Sequence, residues 1–415
     1  MKKIVGIVAA AALATSAFAE INIGSWNRGV FAPVAYDGDK VLSFEGPSWD
    51  VGSTGGVRTG LGFSASSENA GMVFDIHGNP GASIAMGDNA YTWVKPVDML
   101  TVKFGKMDNN WGRLDHCFGT WDGWRFKNSV TRGEGIGGVE RQKGLGAEVT
   151  LQPVEGLVID YEANFGGSTN HAYDVLWESS STMIGYQADF GFVRAIINGQ
   201  QAQKYKNKTD EDTKPAAIIG LAADITAVEN LTLKVGASFP TNLTGYAYNA
   251  GGEYSGSDYE IKKDGTIGLK DGAKESEPSF SYPTIKAAVG ADYALDVATI
   301  HAQVNLDVLP KKFKAEEVEL GNIGLNIGAG VDYKINDALT AIVDVRYQTY
   351  TALEADGTDG SQKLSNPAFG AFVGLQQNLS NASFAFGAQF GKRVLPENED
   401  GDFTFAVPLT MTVSF

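Results

Sequence analysis

Residues Phe403 to Phe415 read FTFAVPLTMTVSF, and their side chains alternate in character along the whole segment. Phe405, Val407, Leu409, Met411, Val413 and Phe415 fall on one phase, and Thr404, Thr410, Thr412 and Ser414 on the other. Successive side chains of a strand point to opposite faces, so this segment predicts a strand with one greasy and one hydroxylated face. The pattern recurs upstream. Ala298, Ile300, Ala302, Val304, Leu306 and Val308 are interleaved with Thr299, His301, Gln303, Asn305 and Asp307. Ile323 to Tyr333 and Leu339 to Tyr347 repeat it, their other phase carrying Asn326, Asp332, Lys334, Asp344, Arg346 and Gln348. A period of two held for about ten residues, apolar on one face and charged on the other, suits a strand with hydrocarbon on one side and water on the other. Beyond residue 19 there is no run of about 18 apolar residues, so no helical span is expected. A chain of this kind crosses a bilayer only as a closed barrel, where every backbone polar group finds a partner on a neighbouring strand.

Composition agrees with many strands joined by loops. The chain holds 51 glycines, 22 phenylalanines and 15 tyrosines, a mixture that suits strands and turns and serves long helices poorly. Its net charge is −16, which repels nucleic acid and anionic lipid and excludes both as expected partners. The single cysteine, Cys117, allows no internal disulfide. At the amino-terminus Lys2 and Lys3 precede an apolar run from Ile4 to Leu13, followed by Ala17-Phe18-Ala19. This is the three-part pattern of a secretory signal peptide cleaved after Ala19. The expected organisation is a signal peptide over 1–19 and a single barrel domain over 20–415.

Paired alternating segments with tight turns are expected at 57–65 with 70–77, 82–95 with 99–106, 143–151 with 157–166, and 183–190 with 192–201. Further pairs are 216–226 with 230–239, 285–293 with 298–308, 323–333 with 339–347, and 368–377 with 382–391. An opening strand near 20–31 and the closing strand 403–415 bring the count to about 18, with 16 as the alternative. An even count places both ends and the short turns on the periplasmic side and the long loops outside. The fold class is therefore all-β, a transmembrane antiparallel β-barrel. Within the long connection 240–283, Tyr259 to Leu269 reads as a small hairpin turning at Asp264-Gly265.

The closing segment, which ends on Phe415, resembles the carboxy-terminal assembly signal of Gram-negative outer-membrane barrels. That resemblance implies outer-membrane lipid and the barrel-insertion machinery as partners. The segment VKFGKMDNNWGRLD, residues 102 to 115, is similar to the strand end of general porins that leads into an in-folded loop. The resemblance implies that the 107–142 connection narrows the pore, and that the protein forms a homotrimer. Asp108, Arg113, Asp115, Asp122, Arg125, Arg132 and Glu134 are the constriction candidates on that loop. Fixed charges in a narrow aqueous passage with low-dielectric walls are screened less than at an open surface, which gives them leverage over passing ions.

Strand phase nominates the pore wall. Its basic candidates are Arg58, Lys103, Arg194, Lys234, Lys286, Lys334 and Arg346. Its acidic candidates are Asp75, Glu148, Asp160, Glu162, Asp189, Asp224, Asp292, Asp307, Asp332 and Asp344. Acids exceed bases, so a weak cation preference is expected. Trp111, Trp121 and Trp124 form an aromatic group in the 107–142 loop. Two readings of it stand: a stacking surface for sugar rings, or packing and girdle residues that anchor the loop.

Other motifs lead nowhere. Gly133-x-Gly135-x-x-Gly138 lacks the strand and helix that a dinucleotide fingerprint requires. His116-Cys117 has no second metal-ligand pair, and His77, His171 and His301 lie on separate segments, so no metal and no cofactor are expected. No Ser-His-Asp constellation can be placed, so no enzymatic activity is expected. The expected function is passive diffusion of small hydrophilic solutes. The alternatives are a sugar-selective outer-membrane channel, or a surface adhesin or structural barrel acting through its long loops.

Overall fold

A computed structural model describes residues 20–36, 38–39, 41–45, 57–78, 84–108, 144–165, 176–177, 179–203, 214–241, 247–249, 259–261, 267–269, 279–281, 285–308, 314–315, 318–319, 323–349, 368–392 and 403–415. Almost all of these residues are in strands, and the main sheet closes on itself as an antiparallel barrel of 18 staves. The expected signal peptide, 1–19, lies outside the described residues.

The staves, in chain order, begin with β1 (Glu20–Tyr36), β2 (Val57–Ser66), β3 (Ala70–Gly78), β4 (Ala85–Val97), β5 (Leu100–Met107) and β6 (Gly144–Leu151). They continue with β7 (Leu157–Asn164), β8 (Ser180–Ala188), β9 (Gly191–Gln203), β10 (Lys214–Ile225), β11 (Leu231–Pro240) and β12 (Ile285–Ala294). The last are β13 (Ala298–Val308), β14 (Ile323–Asn336), β15 (Leu339–Thr349), β16 (Ala368–Asn378), β17 (Ala382–Lys392) and β18, in two pieces, Phe403–Ala406 and Leu409–Ser414. Each stave pairs with its chain neighbours. β1 closes the ring by pairing with β18, from Trp26 opposite Ser414 to Phe31 opposite Leu409. Glu20 and Phe415 therefore share one end of the barrel with the short turns. Closure removes the exposed edges that an open sheet would present.

The burial pattern is the reverse of a water-soluble protein's. Ile300, Val304, Ile327, Val331, Val343, Val345, Phe384, Phe386 and Met411 are exposed on the outer surface. Glu148, Asp160, Glu162, Arg194, His301, Asp344 and Arg346 are buried on the opposite phase. Apolar side chains outside and ionic ones inside is the arrangement that a hydrocarbon solvent selects.

Three details differ from the sequence reading. The closing strand is not continuous: it breaks at Val407-Pro408, because Pro408 has no N–H to donate to the ladder. There Val407 N–H donates to Val34 C=O, and Pro408 C=O accepts from Gly387 N–H. The opening strand runs on to Tyr36. From Phe31 to Tyr36, across a register shift between Ala32 and Ala35, it pairs with a short strand, Val41–Glu45, inside what reads as a long loop. Asp189 sits in the exposed turn between β8 and β9 and not on the pore wall. The small hairpin in the 240–283 connection is present, with Tyr259–Ile261 paired to Ile267–Leu269.

Glycines let large rings lie flat on the inner wall. A Cβ added at Gly71 would stand 2.5 Å from Trp93 Nε1, and one at Gly185 would stand 2.5 Å from Phe192 Cζ. Gly60 similarly makes room for the Trp26 ring, and Gly374 with Gly387 for Phe372. An aromatic ring that covers a neighbouring glycine restores the packing the glycine lacks while keeping the ring out of the central space.

Candidate functional site: the inner wall of the barrel

The inward phase of the staves carries nearly all of the titratable wall groups that the alternation nominates, and register decides which of them meet. On β5 to β7, Lys103 stands opposite Glu148, Glu148 opposite Glu162, and Thr150 opposite Asp160. Lys103 Nζ lies 2.7 Å from Glu148 Oε1. The Thr150 hydroxyl is 3.1 Å from Glu148 Oε1 and 2.8 Å from Asp160 Oδ2, linking the two carboxylates. Like charges directly opposite each other repel, and Lys103 beside Glu148 offsets part of that repulsion.

A second group spans β9 and β10. Arg194 Nη1 donates to Asp224 Oδ2 at 2.6 Å, and the guanidinium lies 5.2 Å over the Phe192 ring. Lys234 on β11 stands in register with Asp224, so this acid has a cation on each side. Further round the wall, His301 on β13 is flanked by two carboxylates. Its Nδ1 is 2.8 Å from Asp292 Oδ1 on β12, and its Nε2 is 3.5 Å from Asp332 Oδ2 on β14. Lys286 faces Asp307 at 3.9 Å, and both are partly exposed. On β15, Arg346 Nη2 approaches Asp344 Oδ2 at 3.4 Å, with both side chains buried. Alternating signs round the wall give a lumen whose field varies over a few ångströms.

Of the expected wall residues, Lys103, Asp160, Glu162, Arg194, Lys286, Asp307, Asp344 and Arg346 are thus all inward. Arg58 stands on β2 in register with Arg28, itself held to Thr412 at 3.2 Å. Of the constriction candidates only Asp108 is described. It follows the last residue of β5, and its N–H donates to Asn89 Oδ1 at 3.2 Å. Arg113, Asp115, Asp122, Arg125, Arg132 and Glu134 lie outside the described residues, as do Trp111, Trp121 and Trp124.

The inner phase is not wholly polar. Met183, Ile196, Ile342 and Phe372 point inward and are buried. Alternation identifies their face, but it does not reveal that these positions pack against other groups. Trp26, Tyr91 and Trp93 are also inward. For Tyr91 and Trp93 the signal is the phase of β4, where Thr92 and Val94 take the lipid side, Val94 being exposed.

No family model and no curated protein sequence matches this chain. Among solved structures, Salmonella typhi OmpF in complex with daunomycin aligns with a TM-score of 0.50 at 11% identity, over 95% of this chain and 97% of that one. OpdL of Pseudomonas aeruginosa gives 0.49 at 8% identity, over 95% and 99% of the two chains. The outer membrane channel DcaP of Acinetobacter baumannii gives 0.45 at 14% identity, over 96% and 98%. The likeness to OmpF is one of fold: this chain has the architecture of the outer-membrane porins.

Proposed function

We propose that this barrel is a passive diffusion channel for small hydrophilic solutes, weakly selective for cations and without enzymatic activity. The observation that carries the reading is the inner wall: charged and amide side chains line an 18-stave barrel, the size class in which a closed sheet encloses an aqueous channel. A transporter of apolar molecules would instead present an apolar interior. On the described wall the acids Asp75, Glu148, Asp160, Glu162, Asp224, Asp292, Asp307, Asp332 and Asp344 are nearly matched in number by the bases Arg28, Lys95, Lys103, Arg194, Lys234, Lys286, Lys334 and Arg346, so the selectivity rests on where they stand. Acid is concentrated on β6 and β7, where Glu148, Asp160 and Glu162 stand near Lys103. A potential of a few kT there enriches cations about tenfold without excluding anions.

The test is the zero-current potential across a planar bilayer under a potassium chloride gradient. The reading expects a sign reporting cation preference, and expects the triple change Glu148→Gln, Asp160→Asn and Glu162→Gln to move it towards zero. An anion preference in the unaltered protein would refute the selectivity while leaving the channel standing. Assembly as a homotrimer belongs to the same proposal, and mass measurement in detergent checks it.

A further inference from the structure

We propose that a hollow on the outer surface of β8 to β12 seats an acyl chain of a phospholipid whose headgroup carries an ammonium, drawn from the leaflet on the short-turn side. This depends on the outer face meeting hydrocarbon and is independent of whether the barrel conducts. The hollow has a volume of about 690 Å³ and an almost wholly apolar lining. Small outward side chains form its floor: Ala195 on β9, Ala223 on β10, Ala237 on β11 and Ala287 on β12. All four are half-buried, whereas Leu221 and Tyr186 beside them stand exposed. Ala237 and Ala287 are directly opposite in register, so the dip crosses from strand to strand. On β17 the outward phase instead carries Phe384, Phe386 and Phe390, all exposed.

The strands set its depth in the membrane. Ala223 is two residues from Ile225, the end of β10, and Ala287 is seven from Ala294, the end of β12. At about 3.4 Å per residue and a tilt near 40°, the hollow spans roughly 5 to 18 Å above the short turns. It therefore reaches from the nearer leaflet towards the middle of an apolar band about 25 Å tall. Lipid tails are as apolar as the alanines, so the hydrophobic effect does not drive the seating. The gain is contact: atoms lining an unfilled dip lose their dispersion partners, and a flexible chain follows the shape of the dip.

The turns beneath the hollow decide the headgroup. Glu155 between β6 and β7, Asp189 between β8 and β9, Glu229 between β10 and β11, and Asp296 between β12 and β13 are all exposed. Residues 152–156, 189–190, 226–230 and 295–297 contain no lysine or arginine. Successive turns stand about two strand spacings apart, roughly 10 Å, which is close to the screening length at physiological salt. An anionic phosphoglycerol headgroup at this level meets carboxylates of its own sign, whereas a phosphoethanolamine headgroup offers them an ammonium. Exposed charges interact weakly, so the preference is several-fold and not of many orders. The same acids disfavour a second copy of this chain as the occupant. Two barrels in one bilayer share an orientation and would bring their acidic turns to the same level.

Native mass spectrometry of the full protein, folded in detergent and titrated with dioleoyl phosphatidylethanolamine or dioleoyl phosphatidylglycerol, tests this, because the two lipids differ only in the headgroup. The expected result is one retained lipid, with the ethanolamine form held about fivefold more tightly than the glycerol form. The paired change Ala223→Phe and Ala237→Phe fills the hollow and should weaken retention of both lipids about tenfold. The paired change Asp189→Asn and Glu229→Gln leaves the hollow open and should bring the two lipids within about twofold of each other. Circular dichroism reports whether each variant has folded, and Ala237→Leu alone replaces the phenylalanine pair if that pair does not fold. No retained lipid, or equal or tighter retention of the glycerol form by the unaltered protein, overturns the proposal. Retention unmoved by filling the hollow overturns it equally. Dimers of the unaltered protein that vanish on filling would show a second copy on this face and overturn it too.

Discussion

Val304 and Asn305 are adjacent on β13, yet they face different solvents, so an arginine at each should have very different consequences. Val304 is 39% exposed on the outer face, and Asn305 is on the inward phase, two residues from Asp307. Val304 is six residues beyond Ala298, which opens the strand at the short-turn end. At about 3.4 Å per residue and a tilt near 40°, it stands about 15 Å above that end, close to the middle of an apolar band about 25 Å tall. Arginine on the lipid face at that depth costs about 2–4 kcal/mol. The folding equilibrium of Val304→Arg should therefore fall roughly 30- to 700-fold. Asn305→Arg adds a charge to an aqueous wall near a carboxylate, and its cost should stay below about 1 kcal/mol. The assay is reversible urea unfolding in phospholipid vesicles, followed by tryptophan fluorescence. Equal costs at the two positions, or a larger cost at Asn305, would refute the assignment of faces on which the rest depends.

Other consequences are as specific. Gly191 has φ of 127° in the first residue of β9, against the Asp224 carbonyl, so Gly191→Ala should destabilise the barrel by about 1–3 kcal/mol in the same unfolding assay. Removing the Arg194 charge with Arg194→Gln leaves Asp224 with Lys234 among the described residues, and the zero-current potential should move further towards cations. Phe415→Ala should slow insertion into the outer membrane, read as accumulation of unassembled chain, while the purified protein refolds with nearly unchanged stability.

The fold was legible because membrane strands obey a simple rule: one phase greasy, the other polar. The rows of β13 to β15 fix face and pairing together, since a slip of one residue would turn Val343 and Val345 inward and Asp344 outward. What alternation does not encode is depth and contact. Ile342 and Phe372 occupy the inward phase of β15 and β16, where polar residues are the rule. Only register shows Phe372 covering the glycines that make room for it. The break at Pro408 was visible in the letters, but the unbroken alternation around it outweighed the missing N–H. The wall pairs Lys103 with Glu148 and Arg194 with Asp224 needed the cross-strand register, which joins residues 45 and 30 positions apart. Trp111, Trp121 and Trp124 are grouped in sequence. Trp26 and Trp93 are separated in the chain and come onto one arc of wall only when β1 to β4 pair.

The central claim, that water fills this barrel from end to end, is tested most directly by adding purified protein to a planar bilayer in molar salt and recording current at fixed voltage. A water-filled passage predicts abrupt, uniform upward steps whose size grows in proportion to salt concentration. A bilayer that stays silent while the same preparation is shown to be folded and inserted would contradict it.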